Sequence, residues 1–183
     1  MNKCIFLDRD GTINIEKNYL HKIEEFEWEE GAVEAIKIFK KLGYKIIVIT
    51  NQSGIGRGYY SEKDVELLHE KVNEKLAKEG AAVDAIYFCP HFPGGIEEYN
   101  KECSCRKPGI GNFERGRKEF DIDYAKSYMV GDRISDLEPA LRLGMTPVLV
   151  KTGYGVKELE KLYFKSEIYE NLYQFSKQLE NEC

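Results

Sequence analysis

The chain has 183 residues, a formal charge of −5, a hydrophobic fraction of 42% and a charged fraction of 32%; this is enough for one domain, residues 1–183, with a real core and an ordinary soluble balance. Its negative charge argues against nucleic acid or an anionic membrane as partner, and an anionic substrate would need cations gathered locally. Met1-Asn2-Lys3 runs into the first apolar stretch with no hydrophobic leader, no run approaches spanning length, and three of the five cysteines crowd between Cys89 and Cys105, so a reducing, cytoplasmic setting and a metal site are expected rather than a disulfide framework.

Short, nearly continuous apolar runs at residues 4–7, 45–49, 85–88 and 128–130 have Gly, Asp or Asn at their ends, and a fifth at 147–150 follows the same pattern. Such runs predict strands buried on both faces. Between them, Ala32, Ala35, Ile36, Phe39 and Leu42 recur at helical spacing before Gly43. Val65, Leu68, Val72 and Leu76 do so after the cap-like Ser61-Glu62-Lys63-Asp64 and before Gly80. A third helix is expected from about Asn112, and a fourth from about Ser135 to Leu143 with Pro139 in or near its first turn. A short strand at 167–169 and a last helix complete the pattern. Alternating β and α predicts an α/β three-layer sandwich around a parallel sheet. Two connections are unusually long, residues 11–30 and 89–106. The first is too short for a separate cap domain, so the site should be covered by loops or by a second subunit.

Chemistry collects at the ends of these strands. Asp8 and Asp10 stand one residue apart, where an extended chain turns both side chains to one face, and Gly11 then permits a sharp departure. Two carboxylates at the carboxyl edge of a parallel sheet suit a divalent ion, for which Mg²⁺ is the expected choice. After the second run, Thr50-Asn51-Gln52-Ser53-Gly54 offers hydroxyl, amide and backbone donors, without the spacing of a P-loop. Arg106-Lys107 supplies two cations, and Gly131-Asp132-Arg133-Ile134-Ser135-Asp136 places another acid at a strand-to-helix turn. Each stretch alone also has a plain structural reading as a turn, a cap or a solvated face.

Taken in order, Asp8-x-Asp10-Gly11-Thr12, Thr50-Asn51, Lys107-Pro108 and Gly131-Asp132-x3-Asp136 resemble the four motifs of the haloacid dehalogenase-like phosphatases. The resemblance implies a Rossmann-like sheet and an aspartyl-phosphate intermediate, with Asp8 as nucleophile and Asp10 as general acid and then base. It further implies Mg²⁺ held by Asp8, the backbone carbonyl of Asp10 and Asp132, with Thr50 and Lys107 balancing charge on the phosphoryl group. Asp136 would orient Lys107 or metal-bound water.

The second long loop reads Cys89-Pro90-His91 and then, after eleven residues, Cys103-Ser104-Cys105. Three thiolates and an imidazole make a closed tetrahedral set for Zn²⁺, which suits the spacing better than a disulfide or an unrelated pair. A zinc-binding loop here would pin Arg106 and Lys107 against the site. This arrangement resembles the D-glycero-D-manno-heptose 1,7-bisphosphate 7-phosphatases and the related histidinol-phosphate phosphatases, and the long spacer favours the first. That resemblance implies substrate contacts from Glu16, Lys17, Asn18, Tyr19, Asn51, Gln52, Ser53, Arg106 and Arg133. It implies a small phosphorylated sugar as substrate, and we expect a monomer or small homo-oligomer. A histidinol-phosphate phosphatase, or a zinc-stabilised binding domain without catalysis, is the alternative. Two departures from the family pattern are Arg133, where Lys is common, and Gly109-Ile110-Gly111-Asn112 after Lys107-Pro108. His21 reads as a loop histidine, Cys4 as core, Trp28 as a wall of the site or packing, and Cys183 as a frayed end; His69 receives no role.

Overall fold

The computed structural model describes residues 1–182; Cys183, read above as a frayed end, lies outside the described residues. Six strands form one parallel sheet: β1 (Cys4–Leu7), β2 (Lys45–Asn51), β3 (Ala85–Cys89), β4 (Tyr128–Gly131), β5 (Thr146–Val150) and β6 (Glu167–Tyr169). Their spatial order is β3-β2-β1-β4-β5-β6, with every neighbouring pair parallel. The sheet therefore grows outward from β1 in one direction and from β4 in the other. Connections leave the β1/β4 junction on opposite sides, which opens a crevice at the carboxyl ends of those two strands.

The alternation along β1 sorts the core into two layers. Ile5 and Leu7 face a cluster with Ala35, Ile36 and Phe39 of α1 (Ala32–Lys41), Leu68, Val72 and Leu76 of α3 (Glu62–Lys78), and Phe175 and Leu179 of α7 (Leu172–Glu182). Cys4 and Phe6 face the other layer, built from Phe113 of α4 (Gly111–Phe120) and Leu137 and Ala140 of α5 (Ile134–Leu143). Two short helical segments follow strands: α2 (Ser53–Gly56) lies one residue beyond β2, and α6 (Gly155–Leu159) comes after a four-residue turn from β5. Phe6 and Phe113 are fully buried with ring centroids 5.2 Å apart, and truncating either would cost about 3–5 kcal/mol.

Local sequence explains the element ends. Ser61 caps α3 reciprocally with Asp64: the Asp64 amide donates to the Ser61 hydroxyl at 3.3 Å and the Ser61 amide to the Asp64 carboxylate at 2.8 Å. Helix α5 ends on Gly144 in the left-handed region. One expectation is corrected there. Pro139 is the sixth residue of α5, inside the helix rather than in or near its first turn. Its missing N–H leaves the Ser135 carbonyl without its usual helical donor. β2 runs two residues beyond the apolar stretch because Thr50 and Asn51, although polar, stay in register with Phe88 and Cys89 of β3.

Candidate active site

The register of the sheet brings the separated acids together. Leu7 pairs with Val130, and the Asp8 amide donates to the Val130 carbonyl at 2.9 Å, so Asp8 and Asp132 leave adjacent strands side by side. Carboxylate oxygens of Asp8, Asp132 and Asp136 all lie within 4.8 Å of one another, and all three residues are buried. Lys107 is inserted among them. Its Nζ lies 2.6 Å from Asp8 Oδ1, 2.8 Å from Asp136 Oδ1 and 2.6 Å from the Ile49 carbonyl. The Lys107 backbone is held in turn by Asn51, whose side chain accepts from its amide at 2.9 Å and donates to its carbonyl at 3.1 Å.

Three buried acids thus cluster here, and two of them, Asp8 and Asp136, share one ammonium. Burial first, and then the neighbouring carboxylates, push Asp8 up to about 7 and Asp132 up to about 9. Burial opposes the charge on Lys107, but Asp136 and Asp8 hold it up at about 12. This surplus of negative charge is the demand a divalent cation meets. Asp132 Oδ1 is buried without a hydrogen-bond partner, which is the state of an oxygen placed for a metal. Its other oxygen, Oδ2, accepts from the Tyr154 amide at 2.8 Å. Gly11 and Gly153, both with positive φ, close around that oxygen: a Cβ at either would lie 2.3 or 2.2 Å from it. The donor set fits a small oxygen-seeking ion.

Asp10 is held differently. Its Oδ1 accepts from Arg9 Nε and Nη2 at 3.2 and 2.9 Å and from Asn14 Nδ2 at 3.0 Å, whereas Oδ2 accepts from Gln52 Nε2 alone at 3.1 Å. Burial raises its carboxyl, but the Arg9 charge and these hydrogen bonds win and hold it below the usual carboxylate range. Its carboxylate stands outside the three-acid cluster, so any share Asp10 takes in a metal falls to its backbone carbonyl.

These groups form the floor of a cavity of about 430 Å³, lined also by residues of the two long loops and of the turn after β2. Asp8, Asp10, Glu16, Asn18, Tyr19, Thr50, Asn51, Gln52, Ser53, Arg106, Lys107 and Arg133, all named from the sequence, line it. Asp132 lies just beneath. Lys17 does not join them; its ammonium pairs with Glu27. Positive φ at Asn18 and Tyr19 bends the chain at this point, and residues 16, 18 and 19 reach the cavity without Lys17. Trp28 packs edge-on against Phe26, their centroids 4.9 Å apart, which settles it as packing. His21 stacks on Tyr60 at 4.5 Å rather than standing free.

Several lining or supporting residues escaped the sequence reading: Arg9, Tyr60, His69, Ser135 and Tyr154. Tyr154 also lies under Arg133, whose guanidinium sits 3.9 Å from the ring centroid. The signal for Tyr154 was present in Thr152-Gly153-Tyr154-Gly155, a glycine-rich turn at a strand's carboxyl end.

Beside the cavity, Cys89, His91, Cys103 and Cys105 converge with their ligand atoms within 4.8 Å. The sulfurs lie 3.2 to 3.5 Å apart and none is in a disulfide. His91 Nδ1 is 3.3 Å from the Cys105 sulfur and 3.7 Å from that of Cys89. Burial pushes the Cys89 thiol well above its ordinary range, as befits a sulfur that ionises only beside a cation. The departure after Pro108 has a local cause: a Cβ at Gly109 would fall 2.4 Å from the Ser104 carbonyl oxygen and 2.7 Å from that of Arg106. The backbone folds back onto the Cys-Ser-Cys turn too closely for any side chain there.

Comparison with known proteins agrees with this geometry. A HAD-hydrolase-like family model matches residues 104–174. The D-glycero-alpha-D-manno-heptose-1,7-bisphosphate 7-phosphatase of Photorhabdus laumondii is 46% identical over 180 residues, 97% of each chain. The D-glycero-beta-D-manno-heptose-1,7-bisphosphate 7-phosphatase of Haemophilus ducreyi is also 46% identical, over 156 residues, 84% of this chain and 86% of that one. The crystal structure of D,D-heptose 1,7-bisphosphate phosphatase from B. bronchiseptica, complexed with magnesium and phosphate, superposes with a TM-score of 0.89 at 33% identity over 99% of both chains.

Proposed function

This chain belongs to the D-glycero-D-manno-heptose-1,7-bisphosphate 7-phosphatase family of HAD-like hydrolases, and from that premise we propose a residue-by-residue account of how it removes the 7-phosphate. The observation that carries the account is Asp8: a buried carboxylate at the cavity floor, 2.6 Å from the Lys107 ammonium and clustered with Asp132. Asp8 attacks phosphorus, forming an acyl phosphate as the bond to the C7 oxygen breaks. Asp10 Oδ2 gives its proton to that leaving oxygen, and then takes one from the water that attacks the Asp8 phosphate. Free of substrate, Asp10 rests ionised beside Arg9; an incoming phosphate dianion raises its proton affinity by like-charge repulsion, which loads it for the first step.

Lys107 and the Thr50 hydroxyl meet charge on the transferring group, and Asp136 keeps Lys107 aimed. Mg²⁺, held by Asp8, Asp132 and the Asp10 carbonyl, would supply positive charge that lets Asp8 and the phosphate approach each other. Glu16, Asn18, Tyr19, Asn51, Gln52 and Ser53 surround the sugar, while Arg106 and Arg133 offer guanidinium groups to the remaining phosphate. Cys89, His91, Cys103 and Cys105 would hold Zn²⁺, which would tie down the loop that carries Arg106 and Lys107; three thiolates and an imidazole suit a structural role. Residues 1–183 act as one domain in the cytoplasm. In support of that location, three of its thiols stand unbonded at the proposed metal site and no helix among the described residues is long and apolar enough to cross a membrane.

The test is phosphate release from the α and β anomers of the bisphosphate with Mg²⁺ present. Relatives named for either anomer are equally identical, so both are assayed. One equivalent of phosphate and a sugar 1-phosphate are expected, and Asp8→Asn should abolish release. Loss of the 1-phosphate instead, or turnover surviving in Asp8→Asn, would overturn the account.

A further inference from the structure

Arg9 lies between the two catalytic aspartates in sequence yet lines no part of the cavity. It is 2% exposed, and its guanidinium is committed on three sides. Nε and Nη2 donate to Asp10 Oδ1, Nη2 donates also to the Leu20 carbonyl at 2.9 Å, and Nη1 lies 3.0 Å from His69 Nε2. A guanidinium has no acceptor. His69 Nε2 is therefore the accepting nitrogen of a neutral ring.

The position of His69 makes this unusual. Val65, Leu68, Val72 and Leu76 form the buried stripe of α3, and His69 is buried among them, its ring edge-on to Phe88 at 5.8 Å. An aliphatic residue would fill that place without any polar atom to satisfy. Burial and then the Arg9 charge hold the imidazole down at about 3, so it stays an acceptor throughout the working pH range.

We propose that His69, acting through Arg9, is a positioning residue that fixes the rotamer of Asp10 and presents its Oδ2 to the leaving oxygen of the substrate. The proposal rests on the reading of Asp10 as the general acid. An Asp carboxylate turns softly about its last torsion, and it is held here because Oδ1 receives three donors while Oδ2 receives one. Two of those three come from Arg9, a long side chain that stays in place only where its far end is anchored. His69 and the Leu20 carbonyl are that anchor. Without the imidazole the guanidinium swings, and Oδ1 competes with Oδ2 for the site facing the substrate. Misplacing a catalytic group by about 1 Å costs up to roughly a hundredfold.

The test separates positioning from mere stability by varying the leaving group. kcat/KM reports steps up to phosphoryl transfer to Asp8, and proton donation matters there for a basic alkoxide but little for p-nitrophenolate. His69→Phe should lower kcat/KM about 10-fold on the heptose bisphosphate and on phenyl phosphate, yet less than about twofold on p-nitrophenyl phosphate. His69→Gln, whose amide oxygen can stand in for Nε2, should stay within about threefold on all three. Should His69→Phe not fold, Arg9→Lys carries the same expectation, since one ammonium cannot brace both Asp10 and His69. An equal loss on all three substrates, or a His69→Gln that falls as far as His69→Phe, would overturn the proposal. Asp10→Asn, run alongside, identifies which idea fails. If Asp10→Asn shows the leaving-group dependence and the His69 variants do not, positioning alone is wrong. If Asp10→Asn shows none, the general-acid reading falls and takes this proposal with it.

Discussion

His69 also makes the stability of the fold sensitive to acid in a way that can be worked out beforehand. In the unfolded chain its imidazole titrates near 6.5, whereas in the fold it is held down at about 3. A folded value below the unfolded one means that the unfolded state binds the extra proton. Stability is therefore full above pH 6.5 and is lost progressively as pH falls toward 3. At pH 5 the gap is about 1.5 pH units, and at about 1.4 kcal/mol per unit this amounts to roughly 2 kcal/mol; at pH 7.5 it is close to zero. The buried acids Asp8 and Asp132, whose proton affinities are raised, contribute in the opposite sense. The measurement is therefore a difference between two proteins sharing that background. Urea unfolding of the parent and of His69→Gln at pH 7.5 and pH 5 should show the parent losing about 2 kcal/mol more than the variant on acidification. Parallel losses in the two proteins would mean that His69 is not a neutral, Arg9-bonded ring, and would remove the premise of the positioning argument.

Three further outcomes follow from particular contacts. Gly153→Ala places a Cβ 2.2 Å from Asp132 Oδ2 at a positive φ; the Mg²⁺ concentration for half-maximal activity should rise at least about 10-fold, and an unchanged titration would show that Asp132 does not hold the ion. Lys107→Met removes the cation that the buried Asp8 and Asp136 share, so kcat should fall about 10²–10³-fold and stability by roughly 3–5 kcal/mol, as read by phosphate release and urea unfolding. That stability penalty should shrink at lower pH as the abandoned carboxylates take up protons. Protein purified without chelator should contain one zinc per chain by metal analysis. Cys103→Ser should lose that zinc and unfold about 10 °C lower by calorimetry, since each kcal/mol is worth roughly 2–4 °C at this size.

The strands were legible because both faces of this sheet are covered, so apolar runs show without an amphipathic code to decipher. Their carboxyl ends then located Asp8, Thr50 and Asp132, and strand order did the rest. Residues 4–7 and 128–130 had to be neighbours for the acids to meet, and β1 and β4 are neighbours at the point where the order reverses. Arg9 was invisible for a physical reason. A charged residue between two aspartates reads as a solvated side chain, and nothing near it announces that an acceptor on a helix 60 residues away will hold it. His69 was hidden in turn because a polar ring in an apolar stripe is usually just a tolerated core histidine. The support of Asp132 is hidden more deeply still, since its position is set partly by atoms that are missing. Gly11 and Gly153 come from separate turns, and each looks like an ordinary chain reversal on its own. Only the folded sheet shows that both must lack a Cβ for Asp132 Oδ2 to fit between them. The acids that perform the chemistry are therefore written locally, whereas the residues that hold them in place depend on long-range packing, which is why the first set was readable and the second was not.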